Sequence, residues 1–94
     1  VEQVEVPQVF RLAQNFPNPF NPATTIQYDL PENCHVRLQV FNLAGRRVAT
    51  LVDAPLKAGY REFRWDARDM PSGVYVYRLS VGDATATRKM LMTR

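Results

Sequence analysis

The sequence predicts an all-β domain, an antiparallel β-sandwich of about seven strands. Runs of alternating apolar and polar residues recur about every ten to twelve positions, and no segment shows the period of an amphipathic helix. Glycine, proline or asparagine punctuates the gaps between the runs, as expected when short strands are joined by tight turns. A chain of 94 residues that is 46% hydrophobic and 11% aromatic has material for one small core and none for a second domain.

Taken in order, Val1 to Gln8 holds two glutamates, one proline and no turn chemistry, which reads as linker; residues 1–11 are assigned to a linker or edge segment. From Asn15 to Pro22 a proline stands at every second or third place. Prolines fix φ and delete backbone donors, so the segment is expected to be a rigid loop, with Phe16 and Phe20 turned inward and Asn18 and Asn21 bonding neighbouring backbone. Ile26, Tyr28 and Leu30 then alternate with Gln27 and Asp29 as a half-buried strand that stops at Pro31-Glu32-Asn33.

Val36, Leu38 and Val40 repeat the pattern. Asn42-Leu43-Ala44-Gly45 turns the chain, with Gly45 at a position of positive φ, into a strand from Val48 to Val52. Tyr60 to Trp65 follows Gly59 as a further strand and ends in the loop Asp66 to Gly73. Val74 to Val81 and Ala84 to Met92 are joined by Gly82-Asp83, whose order suits a II′ or I′ hairpin turn. The expected core is Ile26, Tyr28, Val36, Leu38, Val40, Val48, Phe63, Trp65, Tyr75, Tyr77 and Leu79.

Charge and inventory narrow the function classes. Twelve basic against nine acidic residues give +3, but ten of the twelve are arginines scattered without a block, so no nucleic-acid partner is expected. No run approaches the roughly 20 apolar residues of a membrane helix, and the first residues lack the basic start and apolar core of a signal peptide. The single cysteine, Cys34, has no intramolecular partner for a disulfide. Cys34 and the single histidine, His35, are neighbours on a strand and face opposite ways, which precludes a Cys-His nucleophile pair; two such ligands are too few for a zinc site. Asp66 and Asp69 hint at calcium, but Arg68 lies between them and no bidentate glutamate follows, so turn capping is the better reading and no metal or cofactor is expected. Trp65, a possible sugar platform beside Phe63, is read as a core anchor. No catalytic residues are assigned, because no nucleophile, base and orienting group can be assembled.

The string Leu12-Ala13-Gln14-Asn15-Phe16-Pro17-Asn18-Pro19-Phe20-Asn21-Pro22, followed by Thr25 to Pro31, resembles the C-terminal sorting domain of type IX secretion system cargo proteins. The likeness continues through Val40 to Gly45, Trp65-Asp66, Ser72-Gly73-Val74-Tyr75 and Gly82-Asp83 to Arg88-Lys89-Met90, and so covers residues 12–94. The central motifs are shared with the immunoglobulin-like domain of flagellar hook-capping proteins, so the resemblance implies an immunoglobulin-like sandwich. It also implies a non-catalytic module at the end of a larger secreted protein. The implied partners are the outer-membrane secretion machinery and the parent protein; the implied destination is the cell surface or the medium, reached through the periplasm.

Carried over by position, Asn15, Pro17, Asn18, Pro19, Phe20, Asn21, Pro22, Gly45, Trp65, Asp66, Gly73 and Tyr75 match structural motifs, which backbone and packing demands account for. The residues that fit a sorting signal are Gly82, Asp83, Lys89, Met90, Leu91 and Arg94. The expected reading mode is strand addition to the edge of the last strand, with Lys89 and Arg94 steering an acidic receptor and the domain itself a monomer. The competing readings are a carbohydrate-binding module of a secreted enzyme and a structural spacer.

Overall fold

The computed structural model describes residues 6–94. Its strands are β1 (Arg11–Leu12), β2 (Ala23–Leu30), β3 (Cys34–Asn42), β4 (Arg47–Leu56), β5 (Gly59–Asp66), β6 (Gly73–Val81) and β7 (Ala84–Met92), and the described residues contain no helix. They form two antiparallel sheets, one ordered β1-β2-β5 and the other β4-β3-β6-β7. The chain passes between the layers at β2 to β3, β4 to β5 and β5 to β6. Relative to an immunoglobulin constant domain, the fourth strand has left its place beside β5 and joined β3.

Alternation along each strand decides which residues fill the space between the sheets. Ile26, Tyr28 and Leu30 of β2 face Val36, Leu38 and Val40 of β3 and Tyr75, Tyr77 and Leu79 of β6, all of them buried. Leu12, Phe20, Trp65, Ala67, Met90 and Met92 complete this core, each side chain of leucine size or larger stabilising the fold by about 1.5–3 kcal/mol. Two residues of the expected core are shallower: Val48 and Phe63 are half-buried at its rim, Val48 because the β3–β4 register slips between Val40 and Phe41 and spoils the alternation of β4.

Two other expectations change. β4 starts one residue before and ends four residues after the expected Val48 to Val52, and so runs through Pro55, which pairs with His35. Proline is tolerated there because β4 is an edge strand and no inner neighbour needs the missing N–H. Phe16 does not turn inward; it is 80% exposed. Its backbone pairs with Thr25 (N to O 3.0 Å, and 2.9 Å in the reverse direction), so the chain is extended there, and with Asn15 pointing in, Phe16 must point out. The segment assigned to a linker or edge, residues 1–11, ends at Arg11, which lies opposite Asp29 at the edge of the three-stranded sheet, and residues 1–5 fall outside the described residues.

Two glycines act as expected. Gly45, at φ +83°, closes the β3–β4 hairpin, where the Asn42 Oδ1 accepts from the N–H groups of Ala44 and Arg46, both at 3.0 Å. Gly82 has φ +54° and no other residue type in the described chain has positive φ, so the Gly82-Asp83 turn is of the II′ kind.

Candidate recognition site

The first and last motifs of the sequence meet in space. The proline loop begins with Asn15, which is buried, and its polar atoms find partners inside the protein. The Asn15 N–H donates to the Tyr77 hydroxyl at 2.8 Å, and that hydroxyl donates to the Ala13 carbonyl at 2.7 Å. Asn15 Nδ2 donates to Thr24 Oγ1 (3.0 Å) and to the Pro17 carbonyl (3.1 Å), which also accepts from Thr24 Oγ1 (2.9 Å). These bonds fix the loop to the core without regular secondary structure. The Phe16–Pro17, Asn18–Pro19 and Asn21–Pro22 peptide bonds are cis.

So anchored, the loop lies along the outer edge of β7. Gln14 Nε2 donates to the Lys89 carbonyl (2.6 Å) and the Leu91 N–H donates to Asn18 Oδ1 (3.0 Å). The Phe20 N–H donates to the Leu91 carbonyl and the Thr93 N–H to the Phe20 carbonyl, both at 2.9 Å. In an antiparallel strand alternate residues aim their backbone groups at the neighbour, so the odd-numbered residues of β7 are those that face away from β6. The C-terminal half of this edge is therefore occupied by the chain's own loop. The free half is the stretch carrying Thr85, Thr87 and the Lys89 N–H. This alters the expectation of an open edge along the whole last strand.

The residues assigned to a sorting signal are not all brought together. Lys89 and Leu91 are exposed on the outer face of the four-stranded sheet, whereas Met90 between them is buried in the core. The Arg94 guanidinium reaches across to the carbonyls of Arg68 (2.8 Å) and Met70 and ties the chain end to the β5–β6 loop. Gly82 and Asp83 lie at the opposite end of β7, a strand of nine residues that rises roughly 30 Å.

The structural motifs, by contrast, converge. Phe20, Trp65 and Tyr75 pack in sequence, with ring centroids 5.9 Å apart for Phe20 and Trp65 and 6.0 Å for Trp65 and Tyr75, the second pair edge to face. The Ala67 N–H donates to the Pro22 carbonyl (2.9 Å), joining the end of the proline loop to the start of the β5–β6 loop. The Tyr75 hydroxyl donates to the Pro71 carbonyl (2.5 Å) in the manner of the tyrosine corner of immunoglobulin sandwiches. Asp66 accepts from the Arg68 N–H (3.0 Å) and from its guanidinium (2.6 Å at the shortest), and these bonds hold its carboxyl below the usual carboxylate range. Gly73 opens β6 at φ +150°.

Gln14, Thr24, Tyr77 and Arg88, whose Nε donates to the Leu12 carbonyl at 3.0 Å, are not among the residues assigned from sequence to the signal or the structural motifs, although they hold the site in place. Tyr77 carried a signal: an inward tyrosine has a hydroxyl that must find a partner. Elsewhere, Cys34 packs against the core and burial pushes its thiol up. His35 lies on the other face, its Nε2 2.6 Å from Asp53 Oδ1, and that contact lowers the Asp53 carboxyl.

The family model for the secretion system C-terminal sorting domain matches residues 14–93. The chain belongs to this family, the type IX C-terminal sorting domains. The match begins at Gln14, the first residue to clamp β7, and ends at Thr93, the last. No curated protein matches the sorting domain. Among solved structures it is similar to dimeric latent PorU from Porphyromonas gingivalis, with 22% identity and a TM-score of 0.67 over 98% of the sorting domain. That likeness concerns the fold, and the sorting domain spans 10% of that protein's length. The family's role makes the domain a signal module for the type IX machinery, carried by a protein bound for the surface or the exterior.

Proposed function

We propose that this domain sits C-terminal to a larger parent protein, conducts it as a monomer from the periplasm across the outer membrane, and leaves it attached at the cell surface, with no catalysis of its own. We further assign the signal to the folded end of β7: Lys89 and Leu91 presented outward, Met90 and Arg94 fixing their position, and Gly82-Asp83 setting the register of the strand that carries them. The observation that supports this most is the clamp of the proline loop on Lys89, Leu91 and Thr93. It makes the last strand and the residue after it into a rigid surface, and preorganised surfaces bind with less ordering cost.

The test is a fusion of residues 12–94 behind a signal peptide and a fluorescent reporter, in a bacterium that possesses the type IX machinery. The reporter is expected on the surface or in the medium. The pair Lys89→Ala and Leu91→Ala leaves the core intact and should hold the reporter in the periplasm at an unchanged melting temperature. Normal export of that pair would remove Lys89 and Leu91 from the signal. A periplasmic wild-type fusion would overturn the export reading itself.

A further inference from the structure

The two outer faces of the sandwich differ in chemistry. On the three-stranded sheet the outward residues pair as Thr25 with Arg64, Gln27 with Glu62 and Asp29 with Tyr60, with Arg11 beside Asp29, so that cations and carboxylates interleave. On the four-stranded sheet the register sets Phe41 between Arg47 and Val76, Val76 beside Lys89, Arg78 between Gln39 and Thr87, and Val74 beside Leu91. Arg37, Arg47, Arg78 and Lys89 are exposed there. Among the described strand residues of that face, the carboxylate is Asp53, already engaged by His35 at 2.6 Å and Arg37 at 3.8 Å.

Apolar residues run through this basic field. Phe41, Val76, Val74 and Leu91 form a diagonal stripe across β3, β6 and β7, with Leu91 38% exposed and Leu43 of the adjacent turn 69% exposed. The Arg78 guanidinium lies 4.6 Å over the Phe41 ring. A shallow hollow of about 330 Å³ opens between Phe41, Leu43, Val76, Arg78 and Thr87.

We propose that this face docks an acidic protein segment, one apolar side chain of which enters the hollow while its carboxylates meet Arg47, Arg78 and Lys89. The excess of cations selects a partner of negative sign. The hollow selects a polypeptide, because an array of phosphates or sulfates has nothing to place against Phe41, Leu43 and Val76, whereas protein partners are seated by an apolar anchor inside a charged rim. The inference shares Lys89 and Leu91 with the export reading and goes beyond it, and it is separable because Arg47 and Arg78, the residues changed in the test, lie outside those assigned to the signal.

The test uses the full chain, isotope-labelled for nuclear magnetic resonance, and a synthetic peptide alternating glutamate with leucine. Saturable shifts are expected at Phe41, Val76 and Arg78. They should weaken at least about tenfold in the double variant Arg47→Glu with Arg78→Glu, weaken less in the corresponding double glutamine variant, and persist in Arg64→Glu on the opposite face. Shifts confined to β2 and β5, or affinity indifferent to the Arg47 and Arg78 changes, would overturn the proposal. So would equal binding of a peptide with glutamine in place of leucine, which would mean charge alone, or equal binding of phosphatidylglycerol vesicles, which would mean a polyanion surface.

Discussion

Phe16 and Phe20 are the same residue type four positions apart, and their fates are opposite. Phe20 is buried against Trp65, so Phe20→Ala should cost about 3–5 kcal/mol in chemical denaturation. Phe16→Ala removes an exposed ring and should stay within about 0.5 kcal/mol. Tyr77 is decided by its hydroxyl. Tyr77→Phe leaves the Asn15 N–H and the Ala13 carbonyl without their partner and should cost about 1–3 kcal/mol. Burial also pushes the Tyr77 hydroxyl above its ordinary value of 10.0, against smaller opposing effects of the Asn15 N–H and Arg88. A folded value raised above the unfolded one means that this stability is whole below pH 10.0 and lost as pH rises through the folded value. Melting temperature should therefore fall above that pH, and fall less steeply in Tyr77→Phe.

At the scale of elements, β7 is an edge strand in two parts. Its C-terminal part is closed by Gln14, Asn18 and Phe20, which denies incoming strands the backbone groups that cause edge-to-edge aggregation. Asn18→Ala removes the acceptor of the Leu91 N–H. Stability should fall by about 0.5–1.5 kcal/mol, and hydrogen exchange should speed up at Leu91 while the amides of Met90 and Met92, paired with β6, keep their protection. Equal exchange at Leu91 in both proteins would show that the loop is held by its other bonds.

At the scale of the whole molecule, the chain end is structural before it is a signal. Deleting Lys89 to Arg94 removes Met90 and Met92 from the core, each at a cost of about 2–5 kcal/mol, and takes away the strand that seats the proline loop. Such a truncation should lose its cooperative thermal transition, because total stabilities of small domains are only about 5–15 kcal/mol. Loss of export in it would report unfolding, and the Lys89 and Leu91 pair is the variant that separates the two causes.

Alternation and turn chemistry determined most of the strands from sequence: Ile26, Tyr28 and Leu30 recur with period two, as do Val36, Leu38 and Val40, and Gly45 and Gly82 mark positions where only positive φ closes the hairpin. The motif series likewise determined the family, because the residues that build the Phe20–Trp65–Tyr75 cluster and its turns are demanded by local backbone and packing. Tertiary structure alone decided what those local rules cannot reach. Pro55 lies within a strand because β4 turned out to be an edge, Phe16 points outward because Thr25 pairs with it, and Met90 is core where Lys89 and Leu91 are surface. The clamp that joins Gln14 and Asn18 to β7 spans more than seventy positions, with |i−j| of 75 and 73. No periodicity announces such a pairing, since it depends on which edge of which sheet the loop comes to lie against once both layers have closed.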